Sequence, residues 1–285
     1  MVRSRFSAKL IKTVFLAVVS LFFLYPILYI FGASFMMPQE VTERIIAVKT
    51  GKSSQYISFD FIPDIFSIRQ YKRILLNQAT YLSMFWNSLK IVLPLVIGQV
   101  AVGSMAAYVF AKLKFPHREK IFFLYIITML MPFQVTLVPN YLVMDYLGLL
   151  DNPLPLILPG IFSAFGVFLL RQFMTYIPDS CIDAARIDGA GLVRIFFYIV
   201  LPMVKHGIAA LVILTFIEYW NMIEQPLLFL SDVQKQPLST YLPVIGENDL
   251  EIAFAASFIY MLPVLLLFLY LEEDLVRGIQ YSDIQ

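Results

Sequence analysis

Cysteine and histidine are almost missing from this chain: of 285 residues, one is cysteine (Cys181) and two are histidine (His117 and His206). A single cysteine excludes an internal disulfide framework and any cysteine-built metal site. The two histidines stand far apart, each beside basic residues, and read as solvated loop residues, not as a metal pair. Charge is scarce as well. Asp, Glu, Lys and Arg make up 14% of the residues and the formal net charge is +1, whereas an ordinary soluble domain is about 25% charged. Without a basic excess, nothing in the balance points to a nucleic-acid partner. No helix carries His-Glu-x-x-His or an inward chain of carboxylates and histidines, so an intramembrane hydrolase or a proton-driven pump lacks its usual groups. The triplet "GKS" at 51–53 is not a nucleotide-binding loop, which needs a glycine where Ile46 stands. Internal repeats and low-complexity tracts are missing too.

What fills the chain instead is apolar surface. Hydrophobic residues reach 60%, above the roughly 45–50% of a soluble domain. About 20 consecutive apolar residues cross a bilayer, and six segments approach that length: Thr13–Met37, Ile91–Phe110, Ile121–Met144, Leu154–Leu170, Gly207–Leu230 and Ile252–Leu271. The fold class expected is all-α integral membrane with six transmembrane helices. The first apolar run is longer than the roughly 7–15 residues of a signal-peptide core, so it reads as an uncleaved first helix.

Lysine and arginine in the short connections orient the segments. Four basic residues precede the first segment, four (Lys112, Lys114, Arg118, Lys120) join the second to the third, and four (Arg171, Arg186, Arg194, Lys205) lie between the fourth and fifth. The connections at 145–153 and 231–251 hold none and one (Lys235). This places both termini, and the stretch 171–206, in the cytoplasm of a multi-pass plasma-membrane protein. The loop 38–90 breaks the pattern with seven basic residues, diluted by its length. Its part from 38 to 84 reads as an elaboration on one face, with a short helix near Ile68–Leu76.

One polar module interrupts the grease: "IPDSCIDAARIDGAGLVRIFFYIVLP", residues 177–202. Pro178 and Asp179 suggest a helix start with Asp179 as N-cap. Ile182, Ala185, Arg186 and Gly189 recur at helical spacing on one narrow face, with Ala184 and Ala185 small enough for close approach. Asp183 and Arg186, three apart, can pair along the helix. Asp188-Gly189 is a turn signal, and a second helical run, Leu192–Val200, then stops at Leu201-Pro202. A hairpin lying on the membrane surface would account for this much.

The order of residues carries more. Asp183-Ala184-Ala185-Arg186, then Asp188-Gly189-Ala190, then Pro202 about a dozen residues on, resembles the "EAA" loop of ATP-binding-cassette (ABC) importer permeases, in the form of their carbohydrate-uptake branch. Asp183 stands where that branch has glutamate, keeping the charge with one methylene less reach. "FWNSLKIVLP" (85–94), the stretch 106–143, "LLRQFMTYIP" (169–178), "EYWN" (218–221) and "PLLFLSD" (226–232) resemble the same family in the same order. The resemblance implies an N-terminal helix and extracytoplasmic loop over 1–84, and a transmembrane domain over 85–285 whose coupling loop, 178–202, seats in a groove of a cytoplasmic ATPase. It implies as partners a second homologous permease, two ATPase subunits, an extracytoplasmic substrate-binding protein and a sugar or oligosaccharide, within membrane lipid. ATP and Mg would belong to the ATPase, with no cofactor and no chemistry on this chain.

Charge or amide groups within the apolar segments raise the question of a solute path. Tyr219, Asn221 and Glu224 suit sugars by aromatic faces and hydrogen bonds; equally, Glu224 can lie hydrated at an interface. Gln134 and Asn140, beside Pro132 and Pro139, could line a path or pack against a sister permease. Two rivals remain. A secondary transporter would need buried ion-coupling groups and would leave the Asp183–Gly189 module dispensable; a membrane scaffold or insertase would show no solute-stimulated ATPase activity. A non-sugar solute is the third alternative.

Overall fold

The computed structural model describes residues 2–41, 44 and 62–283, so the "GKS" triplet lies outside the described residues. Among the described residues the chain is helical, with no strand. Such a chain satisfies its backbone polar groups internally, as lipid requires. Among the described residues four helices are long and apolar enough to cross a membrane: Lys9–Ala33, Ala79–Lys112, Leu154–Thr175 and Ile252–Val276. Two bent pairs raise the number to six if each is one span: Arg118–Leu130 with Gln134–Tyr146, bent by 98°, and Leu192–Met203 with Lys205–Trp220, bent by 75°.

All six expected segments fall on helices, but several boundaries move. The first helix ends at Ala33, short of Met37, and Ser34 Oγ turns back onto the Phe31 carbonyl at 2.6 Å. The third segment is not straight. Pro132, extended at φ −57° and ψ 135°, offers no N–H to carry the helix on from Thr128–Leu130. The fourth runs on to Thr175 with a break after Ile161. The fifth stops at Trp220, and a separate short helix, Glu224–Phe229, follows. At that end Asn221 Nδ2 donates to the Ile217 carbonyl at 2.8 Å, and Trp220 is fully buried, edge-on to Phe85 at 5.9 Å and stacked on Phe216 at 5.2 Å. The expected short helix near Ile68–Leu76 is present as Arg69–Lys72 continued by the wide turn Arg73–Asn77.

The chain divides into two compact units, one of residues 1–82 with 241–262 and one of residues 83–240 with 263–285. In the first, Ala33, Met36 and Val41 form a small core with Tyr29, Leu250 and Phe254. Tyr81 donates its hydroxyl to the Ala256 carbonyl at 2.7 Å, and Arg73 pairs with Asp249 at 2.6 Å. The second unit has one large cluster running from Ala107 and Tyr108 through Leu170 and Met174 to Ile182, Ile195 and Val200. A second cluster joins Ile91, Met144, Leu156, Met222 and Phe229. Helices in lipid associate by close packing, because burial from hydrocarbon supplies no drive. Gly207 shows how close: a Cβ there would stand 2.6 Å from the Phe173 ring.

Candidate functional site

The polar module folds as two helical pieces around a sharp turn. Its first helix spans Asp179–Ile187, with Pro178 in extended conformation at the N-cap position. Asp179 is therefore the first helical residue and not the cap that the sequence suggests. Its carboxylate is taken by Lys112, whose Nζ donates to Asp179 Oδ1 at 2.8 Å and to the Ile177 carbonyl at 2.5 Å. That hydrogen bond, and the ammonium charge beside it, hold the Asp179 carboxyl below its usual range. Its contribution is present above the ordinary carboxylate pKa and is lost as pH falls through the lowered value, so the pair is intact at neutral pH.

Asp188-Gly189 ends the helix as the sequence suggests. Gly189 sits at φ +81°. Its N–H donates to the Arg186 carbonyl at 3.0 Å, and the Ala190 N–H reaches the Ala185 carbonyl at 2.9 Å. These two bonds are a Schellman closure, which satisfies carbonyls that the helix end would leave open. The second piece begins at Leu192 and does not stop at Pro202. It passes through a π-type turn, Phe196–Val200, and continues as Leu201–Met203. The wider turn makes room for a proline ring that would otherwise clash one turn back. The break comes at Val204.

The helix presents two unlike faces. Ile182 and Ala185 are buried in the large cluster, and Ala190 packs against it. Asp183, Ala184, Arg186, Asp188 and Gly189 are exposed, as is Pro202. The single face expected from Ile182, Ala185, Arg186 and Gly189 is therefore divided. The first two anchor the helix to its own chain, and the last two look outward. Asp183 and Arg186 form the expected pair at 3.2 Å. Ile187, which the sequence pattern did not single out, is 86% exposed beside the turn.

Lys112 is the second residue that the sequence left unmarked, counted only toward orientation. Its side chain is 5% exposed. It closes the long helix Ala79–Lys112 and holds the entry to Asp179–Ile187. A neighbouring clamp ties the following elements: Arg171 takes both oxygens of Glu119 at 2.9 and 2.8 Å and stacks its guanidinium 3.8 Å from the Phe122 ring centroid. His206 is not a solvated loop residue. It lies in the helix Lys205–Trp220, half-buried, with Nδ1 3.0 Å from Asp274.

The candidate path residues occupy separate elements. Gln134 is exposed just after the Pro132 bend, and Asn140 is half-buried on the same helix. Tyr219 is half-buried near the end of Lys205–Trp220, and a Cβ on Gly160 would meet its hydroxyl at 2.9 Å. Asn221 bonds back to the Ile217 carbonyl at 2.8 Å, capping the helix end. Glu224 is exposed and opens the next short helix. Tyr141 and Met144, from the helix of Asn140, share a cluster with Tyr219 and Met222.

Residues 99–272 match the family described as binding-protein-dependent transport system inner membrane component. The chain belongs to that family. It is a permease subunit of an ABC importer, and the family's ATPase is a separate subunit. Among its relatives is the sn-glycerol-3-phosphate transport system permease protein UgpE of Pectobacterium atrosepticum, 35% identical over 215 residues, which are 73% of this permease and 75% of the relative. The protein of the same name from Yersinia enterocolitica is 33% identical over 212 residues, again 73% and 75% of the two chains. A solved bacterial ABC transporter involved in the import of the acidic polysaccharide alginate shares the fold, at a TM-score of 0.77 and 24% identity over 95% of this permease and 97% of that chain. As a binding-protein-dependent inner membrane component, the permease works with a partner permease, an ATPase and a substrate-binding protein.

Proposed function

We propose that residues 178–202 are the coupling loop of this permease, and that Asp183, Ala184, Arg186, Asp188 and Gly189 meet the ATPase directly. Ala185, Ala190 and Pro202 then act by shaping that surface. The observation that supports this is the joint at Lys112: a short polar helix with an exposed outer face, fastened at its base to the end of a long membrane helix. Push on the outer face, and the long helix must follow. In this reading six spans carry both termini in the cytoplasm. Residues 1–84 form the first helix and an extracytoplasmic loop, and 85–285 form the transmembrane domain. Two such permeases and two ATPases make the importer, with ATP and Mg held by the ATPases alone. Nucleotide binding closes the ATPase pair and shifts the path between its two openings.

The solute in this reading is a sugar or oligosaccharide, with Tyr219, Asn221, Gln134, Asn140 and Glu224 beside its path. A phosphorylated polyol is the second reading, since relatives at 33–35% identity are named for sn-glycerol-3-phosphate. Reconstituting the permease with its partners and measuring ATP hydrolysis tests the core of the reading. Stimulation by solute-loaded binding protein is expected, and uptake that proceeds without the ATPase would overturn it.

A milder prediction concerns the path. Tyr219→Ala should slow uptake several-fold while leaving assembly intact, and Tyr219→Phe should show whether the hydroxyl matters. Asn221→Ala should act likewise but also loosen the helix end that Asn221 caps. Uptake kinetics at matched membrane levels decide. Unchanged rate and apparent affinity in both alanine variants would make these two residues packing groups.

A further inference from the structure

The unit formed by residues 1–82 and 241–262 holds a cleft of about 440 Å³ lined by Arg69, Gln70, Lys72, Arg73 and Asn77. Arg73 is committed to Asp249, at 2.6 and 3.4 Å. Arg69 and Lys72 are exposed, and neither forms an ion pair among the described residues. Gln70 is the odd member. It is 2% exposed, yet among the described residues neither its amide nitrogen nor its amide oxygen has a hydrogen-bond partner. A buried amide left open on both sides is costly, and native structures rarely leave one without a reason.

The unmet groups define what would complete them. Two unpaired cations and an amide N–H call for an anion with several acceptor oxygens, and the amide oxygen calls for a hydroxyl donor. We propose that this cleft binds a hydroxylated phosphate. Its phosphoryl oxygens accept from the Gln70 Nε2–H and face Arg69 and Lys72, while a hydroxyl on its carbon chain donates to Gln70 Oε1. Asp249 stays engaged with Arg73 and so does not oppose the anion. Two sources carry this chemistry: a free polyol phosphate, or the glycerol-phosphate headgroup of a lipid. The location admits both. The lining helix ends at Asn77, two residues before the span Ala79–Lys112 begins, and Leu75 and Leu76 are exposed beside the cations. Basic side chains next to exposed leucines suit a headgroup boundary. This proposal stands apart from the coupling reading, and solute-stimulated ATP hydrolysis, measured on the same complexes after the binding protein is added back, tells the two failures apart.

The test uses the full chain with its partner subunits in nanodiscs, without the binding protein. In one arm the discs are phosphatidylcholine and sn-glycerol-3-phosphate is titrated by calorimetry. In the other, spin-labelled phosphatidylglycerol is added and the motionally restricted fraction is read by electron paramagnetic resonance. At least one probe should bind, and its affinity should fall about tenfold or more in Arg69→Gln/Lys72→Gln and in Gln70→Leu. The arm that responds names the source. Binding of neither probe, or binding unchanged in either variant, would overturn the proposal. Arg69 and Lys72 are exposed, so their variant remains informative even if Gln70→Leu fails to fold.

Discussion

Gly189→Val is expected to insert and assemble but to lose most of its uptake. Among the described residues, its own chain neighbours aside, nothing lies within 4 Å of the position a Cβ would take, so the substitution meets no packing obstacle. The penalty is conformational: at φ +81° an L-residue pays on the order of 1–2 kcal/mol, and a β-branched one sits there least readily. A penalty of that size lowers the population of the correct turn by roughly 5–30-fold. The two closing bonds to Arg186 and Ala185 then open, and the chain leaves the helix in another direction. Gly189→Asn separates turn from bulk, because asparagine tolerates this conformation. Uptake retained in Asn and lost in Val assigns the effect to the turn. Asp188→Lys makes an independent probe. A cation near a helix C-terminus is locally favourable, so lost uptake there reports a partner surface, not a failed helix. Solute-stimulated hydrolysis by the co-purified ATPase is the measurement. Normal transport in both Gly189→Val and Asp188→Lys would remove the coupling assignment.

Lys112→Met should be nearly as severe by a different route. The methionine keeps the unbranched apolar stem of the lysine but removes the ammonium that joins Ile177 and Asp179 to the end of the membrane helix. A charged hydrogen bond such as that to the Ile177 carbonyl is worth about 1.5–3 kcal/mol. The helix Asp179–Ile187 remains anchored through Ile182 and Ala185, so the ATPase should still bind. The expected signature is uncoupling: basal hydrolysis persists, and stimulation by solute falls about tenfold. Lys112→Arg, which keeps the charge and can still reach the carbonyls, should restore part of it. Full stimulation in Lys112→Met would show that force does not pass through this joint.

Much of this architecture could be read from the sequence where the signal was local. Asp188-Gly189 announces its turn because the requirement for positive φ rests on one residue. The Asp183–Arg186 pair follows from helical spacing alone. Local signals fail where a distant residue decides. Its neighbours mark Asp179 as the cap, but Lys112, 67 positions earlier, claims its carboxylate. Ala185 and Arg186 share a helical stripe, yet the buried cluster takes only the alanine, and periodicity over nine residues cannot say where a stripe ends. Hydropathy runs on through Pro132 and past Trp220, whereas an extended proline without an N–H and the closure of Asn221 on the Ile217 carbonyl end the helices there. Lys112 reads as one more cytoplasmic cation, since its sequence neighbours do not reveal that the Thr175 and Ile177 carbonyls and the Asp179 carboxylate fold around it.

The lone thiol gives the most direct test of the coupling surface. Cys181 is exposed, two residues before Asp183 on the same short helix, so labelling of the unmodified protein reports this one place. A membrane-impermeant maleimide should fail on intact cells and react with inside-out vesicles stripped of the ATPase. Restoring the ATPase should slow the reaction, and nucleotide should change the rate again as the joint moves. Rapid labelling from outside intact cells would contradict the account, and a rate indifferent to the ATPase would reduce the module to a surface hairpin.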